Sequence, residues 1–299
     1  HALIRLPTQE NDLDCDRRSV KNNILYLREL GYDISMESGY YLAQRQFEDA
    51  QLRLLIDSVL CSKNMTARQA KDLIDKLEAC GNRYFKPKVS HVQMLSGLHH
   101  ADNKQLMYVV DALNEAIDQK KKVAFYYNAY GTDFKLHKKR DSRDVVNPYQ
   151  MVTANGFYYL IGNYDRYDNV LHFRLDKITD VEILNEKRKD AKLVDGLKNG
   201  LNLPRHMAEH IYMFGGESVT VQLSVPTGMM NALIAWFGKD FKILQQENDR
   251  MIIRVACNQD AMFYWSLQYG TQVEVLEPKS LRNEIRDAVK SMAERYDVC

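Results

Sequence analysis

Asn155-Gly156-Phe157-Tyr158-Tyr159-Leu160-Ile161-Gly162, followed by Phe173-Arg174-Leu175-Asp176-Lys177-Ile178, decides the fold class. An Asn-Gly pair ahead of a β-rich run is a strong short-range hairpin signal, because both residues tolerate the positive φ of a two-residue turn. Around these runs the apolar period is two. KVAFYYN from Lys122, DVVNPYQMVTA from Asp144, GFYYLIGNYD from Gly156, NVLHFRL from Asn169 and ITDVEIL from Ile178 read as strands in close succession, with Asp168-Asn169 as a second turn signal. Short strands joined by short turns predict a small antiparallel barrel or half-barrel.

Downstream, 190–215 reads as a connector with a short helix. Strand (219–225), helix (227–238), strands (241–246 and 250–256), helix (259–269), strand (271–276) and helix (278–296) follow. That β-α-β-β-α-β order is the ferredoxin-like pattern. Upstream, helical periods mark 104–119, 66–80 and 47–60. At the front, Asp16 is a good N-cap for a helix over 16–30, and Val20, Ile24, Leu27 and Leu30 form its apolar face. Gly31 stands where a helix stops. Residues 32–42 read as a small hairpin turning at Glu37-Ser38-Gly39. The expected fold class is α+β multidomain.

Composition narrows the function classes. The chain has 299 residues, 45% hydrophobic and 27% charged, which suits a globular protein of two or three domains. No apolar run approaches the roughly 20 residues of a membrane span, and His1–Pro7 has no signal pattern, so no membrane partner and a cytoplasmic location are expected. Cys15, Cys61, Cys80, Cys257 and Cys299 form no C-x-x-C pair and read as free thiols in a reducing compartment. Net charge is +1, so any nucleic-acid binding must come from a local patch.

Such a patch is present at the front. Arg17, Arg18, Ser19, Lys21 and Asn22 crowd the first turns of the expected helix, where a recognition helix meets base edges and phosphates. The hairpin after it would be a wing. A solvated amphipathic helix is the alternative, and residues 1–45 hold six Lys/Arg against seven Asp/Glu, so the segment is not net basic.

Asp16-Arg17-Arg18-Ser19-Val20, Leu27-Arg28-Glu29-Leu30-Gly31-Tyr32-Asp33-Ile34 and Gly39-Tyr40-Tyr41-Leu42 together resemble the winged helix-turn-helix of WYL-domain transcription regulators. Asn147-Pro148-Tyr149 and the two opening runs resemble the WYL module. Tyr212-Met213-Phe214-Gly215-Gly216-Glu217 and Tyr269-Gly270 through Glu277-Pro278 resemble its C-terminal extension. The tryptophan that names the family falls on Tyr158, which keeps an aromatic face and adds a hydroxyl. The resemblance implies a winged helix-turn-helix at 1–45, a helical linker at 46–103, a WYL sensor domain with a small Sm-like or SH3-like β-barrel at 104–188, a connector at 189–216 and the extension at 217–299. It also implies a bacterial regulator, acting as a homodimer on double-stranded DNA, controlled by a small molecule, nucleotide or single-stranded nucleic acid. The alternative is an accessory protein whose WYL domain binds single-stranded nucleic acid and modulates a partner.

Alternation supplies candidates for the ligand face. Leu171, Phe173 and Leu175 share one side of their strand, and His172 and Arg174 the other. The planar fork of Arg174 suits an anion. Lys135, Lys138, Lys139, Arg140 and Arg143 are five cations in nine residues, and with Tyr126 and Tyr158 they would make a basic groove with aromatic platforms. The alternatives are an Arg174–Asp176 ion pair, a solvated 135–143 loop and a core Tyr126.

His206-Met207-Ala208-Glu209-His210 matches the H-x-x-E-H pattern of a zinc peptidase class, but no convincing third ligand follows, and the His99-His100 pair has no partners at ligand spacing. No phosphate loop and no nucleophile motif is present. Neither metal nor cofactor is expected, and no enzyme.

Overall fold

A computed structural model describes residues 16–35, 39–42, 47–81, 85 and 101–297. The Glu37-Ser38 part of the expected hairpin turn, His99-His100, Cys15 and Cys299 lie outside the described residues. Contacts divide the chain into two units, one of 1–61 with 68–98, the other of 62–67 with 99–299.

In the first unit, helix α1 (Arg17–Glu29) is followed by two-residue strands β1 (Ile34–Ser35) and β2 (Tyr41–Leu42), paired antiparallel. Helices α2 (Asp49–Leu60) and α3 (Ala67–Ala79) come next. A capping box starts α2: the Glu48 side chain accepts from the third backbone N–H of the helix, and Gln51 Oε1 accepts from the Glu48 N–H at 2.9 Å. Leu52, Ile56, Leu60, Ile74 and Phe85 are buried together, as the i, i+4 spacing of α2 and α3 requires.

The second unit is built on a curled sheet. Helix α4 (Leu106–Asp118) precedes β3 (Lys121–Tyr130), β4 (Leu136–Lys138), β5 (Asp144–Ala154), β6 (Phe157–Asn163), β7 (Leu171–Arg174) and β8 (Ile178–Lys187). The sheet runs β4-β3-β5-β6-β7, and β8 returns to pair with β3. Asn155 and Gly156, at φ +53° and +79°, make the two-residue turn between β5 and β6 that the Asn-Gly pair predicts. The ladder between those strands shifts register between Pro148 and Gln150, where the ring of proline removes a donor. Strand β4 passes through the 135–143 cation run, which the sequence also allowed as a loop.

One face of α4 (Leu106, Val109, Leu113, Ala116) fills the concave side of this sheet against Val123, Phe125, Val146, Leu160, Phe173 and Ile178. A second core lies on the other side of β5 and β6, where Val152, Tyr159 and Ile161 meet Val194 and Leu197 of the connector. The connector carries helix α5 (Leu203–Glu209), with Asn202 accepting from the Arg205 N–H as N-cap.

Beyond it come β9 (Ser218–Pro226), α6 (Met230–Phe237), β10 (Lys242–Glu247), β11 (Arg250–Asn258), α7 (Gln259–Gln268), β12 (Glu274–Glu277) and α8 (Lys279–Arg295). The β-α-β-β-α-β order matches the expectation. The four strands form an antiparallel sheet in the order β10-β11-β9-β12, cored by Leu223, Leu233, Phe237, Ile253 and Trp265. Among the described residues no helix is long and apolar enough to cross a membrane.

Gly162 on β6 is held by close approach. A Cβ there would sit 2.7 Å from Val146 Cγ1 and 3.1 Å from the Asn147 carbonyl, both in the buried strand alongside. Gly162→Ala is therefore expected to destabilise the protein by about 1–3 kcal/mol through overpacking. Urea denaturation measures it, and an unchanged midpoint would refute the packing argument.

Candidate ligand and nucleic-acid sites

Arg174 ends β7 opposite Tyr159 of β6. Its Nε and Nη2 donate to Asp176 Oδ1 and Oδ2 at 3.0 and 2.7 Å, a two-pronged ion pair onto a carboxylate only 2% exposed. The guanidinium carbon stands 3.5 Å from the centroid of the Phe157 ring. The backbone N–H of Arg174 donates to the Tyr127 hydroxyl at 3.2 Å. Burial raises the Tyr127 and Tyr159 phenols above their ordinary range, so both stay neutral beside the ion pair. Burial, and then the Arg174 charge, lowers the Lys177 ammonium. The ion-pair alternative is thus present in the structure, with the Arg174 side chain still 25% exposed.

The cation run divides. Arg140 pairs with Asp144 at 3.2 Å, and Arg143 pairs with Glu182. Lys138 Nζ lies 3.5 Å from the Tyr126 centroid, with the Arg143 guanidinium at 5.5 Å from the same ring, and Lys139 Nζ lies 5.3 Å from Tyr127. Tyr126 is half-buried beneath its cations. Tyr158 occupies the alternate position on β6, packed against the core that holds Leu160 and Phe173, while its neighbour Tyr159 stands across from Arg174. The structure gathers Phe157, Tyr127, Tyr159 and Asp176 around Arg174, and Tyr158 takes the opposite face of the strand.

His172 shares its face of β7 with Arg174, as alternation requires, and meets two further histidines there. Its Nε2 meets His206 Nε2 at 2.8 Å, and the rings of His172, His206 and His210 lie 4.4 to 5.1 Å apart. The two histidines of the H-x-x-E-H run do share a face of α5 and its C-cap, and that face packs on β7. The Phe214 carbonyl can only accept, so the 3.0 Å contact makes His210 Nδ1 the protonated nitrogen. Among the described residues no group of three His, Cys, Asp or Glu is arranged to hold a metal. Burial, and then the charges of the neighbouring imidazoles, depresses His172 to about 3 and His206 to about 4; burial also lowers His210. A cavity of about 660 Å³, lined by His206, His210, Asn202 and Arg205 among others, adjoins the cluster.

In the first unit, Arg17, Arg18, Ser19, Lys21 and Asn22 are all exposed on the opening turns of α1. No acidic residue stands within that first turn, and the N-cap Asp16, the one carboxylate at this end of the helix among the described residues, makes no side-chain cap hydrogen bond.

Residues 108–183 match the WYL domain family, and residues 215–293 match the WCX domain family. The chain thus carries a WYL domain and, after it, a WCX domain. A protein of Bacillus subtilis (strain 168), described as the uncharacterized HTH-type transcriptional regulator YobV, is 23% identical over 209 residues, which span 69% of the present chain and 60% of that relative. Among solved structures, a CRISPR Cas-related protein superposes with a TM-score of 0.43 at 14% identity over 96% of this chain and 76% of its own. The proteasome accessory factor B/C (PafBC) of Arthrobacter aurescens gives 0.31 at 16% identity over 84% of this chain and 37% of its own.

Within the WYL domain, Asp176 is the ion-pair partner that the sequence offers as an alternative, and Phe157 is the contact of Arg174 that it does not single out. The signal was alternation: Phe157 and Tyr159 share a face of β6, and Tyr158 does not. Tyr127 was hidden because its hydroxyl meets a backbone N–H, which no side-chain pattern reveals.

The histidine cluster gives the protein a defined acid response. The unfolded chain takes up these protons near pH 6.5, whereas the folded chain refuses them until about pH 4 or below. Stability is therefore full above pH 6.5 and falls as pH drops, by up to about 1.4 kcal/mol per pH unit for each withheld proton. Urea midpoints between pH 7.5 and 5 should fall less steeply in His206→Gln than in the parent. Parallel slopes would show that His206 is not among the groups refusing protons.

Proposed function

We propose that the protein is a DNA-binding transcription regulator whose WYL domain controls it through a ligand at Arg174. The observation that carries this is the row of exposed cationic and polar side chains on the first turns of α1, followed directly by the β1–β2 hairpin. In this reading α1 enters a major groove, with Arg17, Arg18 and Asn22 at base edges and phosphates, Ser19 and Lys21 on phosphates, and the hairpin as the wing. Residues 1–45 form the winged helix-turn-helix, 46–103 a helical linker, 104–188 an Sm-like or SH3-like barrel, 189–216 the connector and 217–299 a ferredoxin-like extension. Two copies supply two helices to a two-fold operator. The WYL match and the relative described as an HTH-type regulator support this reading.

The ligand is anionic or carries an anionic group, since it must compete with Asp176 for a guanidinium fork. A small molecule, a nucleotide and single-stranded nucleic acid all meet that requirement. To regulate, it must bind one conformation better than the other. A second reading makes the WYL domain the main binder of single-stranded nucleic acid. It is favoured by Lys138 and Arg143 over the half-buried Tyr126, a stacking ring already dressed with cations.

Selection from a random duplex library, with a single-stranded pool in parallel, tests both. An enriched inverted repeat is the expected result, with Arg17→Ala and Arg18→Ala each weakening duplex binding by roughly tenfold, the scale of one lost base or phosphate contact. Duplex binding that survives both substitutions unchanged overturns the α1 assignment. Retention of the single-stranded pool alone moves the function to the WYL domain.

A further inference from the structure

The six residues that connect α2 to α3, Ser62–Ala67, belong to the second unit. Asn64 is buried there at 9% exposure, and its side chain bonds the β5–β6 turn as well as the Ser62 hydroxyl. Its Oδ1 accepts from the Tyr158 N–H at 2.5 Å, and its Nδ2 donates to the Gly156 carbonyl at 3.2 Å. The Lys63 N–H donates to the same carbonyl at 3.4 Å, and Met65 returns its own carbonyl to the Ala101 N–H at 3.1 Å. The connection is thus hydrogen-bonded to the turn on both sides of Phe157.

Phe157 is the residue on which Arg174 rests. The Arg174 guanidinium is 3.5 Å from its ring centroid, and Lys63 Nζ is 5.5 Å from it. One ring therefore touches the ligand-contact guanidinium and a side chain of the α2–α3 connection. Contacts run from Asp176 through Arg174 to the ring of Phe157, which Lys63 also approaches, and Asn64 holds the backbone on both sides of that residue, at Gly156 and Tyr158. The first link is an ion pair that an incoming anion has to alter.

We propose that Asn64 and Lys63 are the positioning residues that pass the state of Arg174 to helices α2 and α3. This rests on the reading of Arg174 as the ligand contact. When the fork is turned toward Asp176, the guanidinium stays over Phe157 and the turn stays gripped by Asn64. When an anion draws the fork away, Phe157 loses its cation, the turn loosens, and the hydrogen bonds that hold the α2–α3 connection weaken with it. The link needs no ligand to be tested, because Arg174 can be removed by substitution.

The experiment is amide hydrogen exchange on the full chain. Arg174→Ala combined with Asp176→Asn removes the cation without leaving a buried unpaired carboxylate. The Tyr158 and Lys63 amides should exchange about tenfold faster, the scale of one desolvated cation–π contact, while amides of β9 and β11 keep their protection. Unchanged Tyr158 and Lys63 amides overturn the proposal. Should β9 and β11 also lose protection, Phe157→Leu, which spares the ion pair, replaces the double variant under the same criterion. Arg188→Ala, which removes a guanidinium over Tyr149, should leave both amides unchanged.

Duplex affinity then separates this proposal from the reading beneath it. In an Asn64→Ala background the double variant should no longer alter duplex affinity, whereas in the parent it should. Equal effects in both backgrounds overturn the Asn64 link. Absence of duplex binding in every variant removes the regulator reading, and the exchange result alone then decides the link.

Discussion

Strand β3 divides its hydrogen bonds among three partners, and the rest of the second unit depends on that division. Val123 registers with Val146 of β5 on one edge and with Ile183 of β8 on the other, while Asn128–Tyr130 pair with β4. A flat sheet could not bring its last strand back to its second. Register shifts in the β3–β8 ladder, between Lys121 and Val123 and between Ala124 and Tyr126, supply the bend. Inside it Phe125, Tyr127, Tyr164 and Phe173 meet edge to face at 5.5 to 6.5 Å. With Phe173 clamped in that cluster, alternation turns His172 and Arg174 outward. A slip of one residue in β7 would exchange Phe173 for Arg174, so the register is strongly specified.

The outward position of Arg174 is not an open one. Removing one partner from a buried ion pair costs about 3–5 kcal/mol, because the remaining charge is left without compensation. Asp176 is such a partner, in a one-turn 3₁₀ segment fixed between Phe173 and Ile178. Anything that takes the guanidinium must also satisfy or release that carboxylate. A rigid surface arginine would bind anions without consequence, whereas one already committed to a buried acid couples binding to rearrangement.

The strand succession, the Asn-Gly turn, the three upstream helices and the order of the C-terminal elements were legible because period and turn chemistry are local properties. Arg174 was legible for the same reason, as the residue opposite a run of core aliphatics. What surrounds it was not. Asn64 is 92 residues from Gly156 in sequence, and no local pattern announces that pairing. His172 looked like a partner of Arg174 because both face outward from β7. It was claimed instead by His206 and His210 on an element 34 residues later, whose helical spacing was visible but whose docking partner was not. Tyr158 draws attention by its place in the motif, although the parity of the strand puts Phe157 and Tyr159, not Tyr158, on the face of β6 that meets Arg174.

Strand β10 closes one side of the C-terminal sheet, and all six of its residues are exposed. Its outer backbone groups form a ready template for a foreign strand, and Ile243 and Leu244 in mid-strand would favour that pairing. Two features oppose it. Lys242 and Glu247 place charge at the ends, and the ladder to β11 is irregular between Ile243 and Gln245, so the rim is not a straight ribbon. At high concentration this rim is a place where a second chain can pair, and a further lysine in place of Leu244 would harden that edge without touching the buried cluster of the sheet.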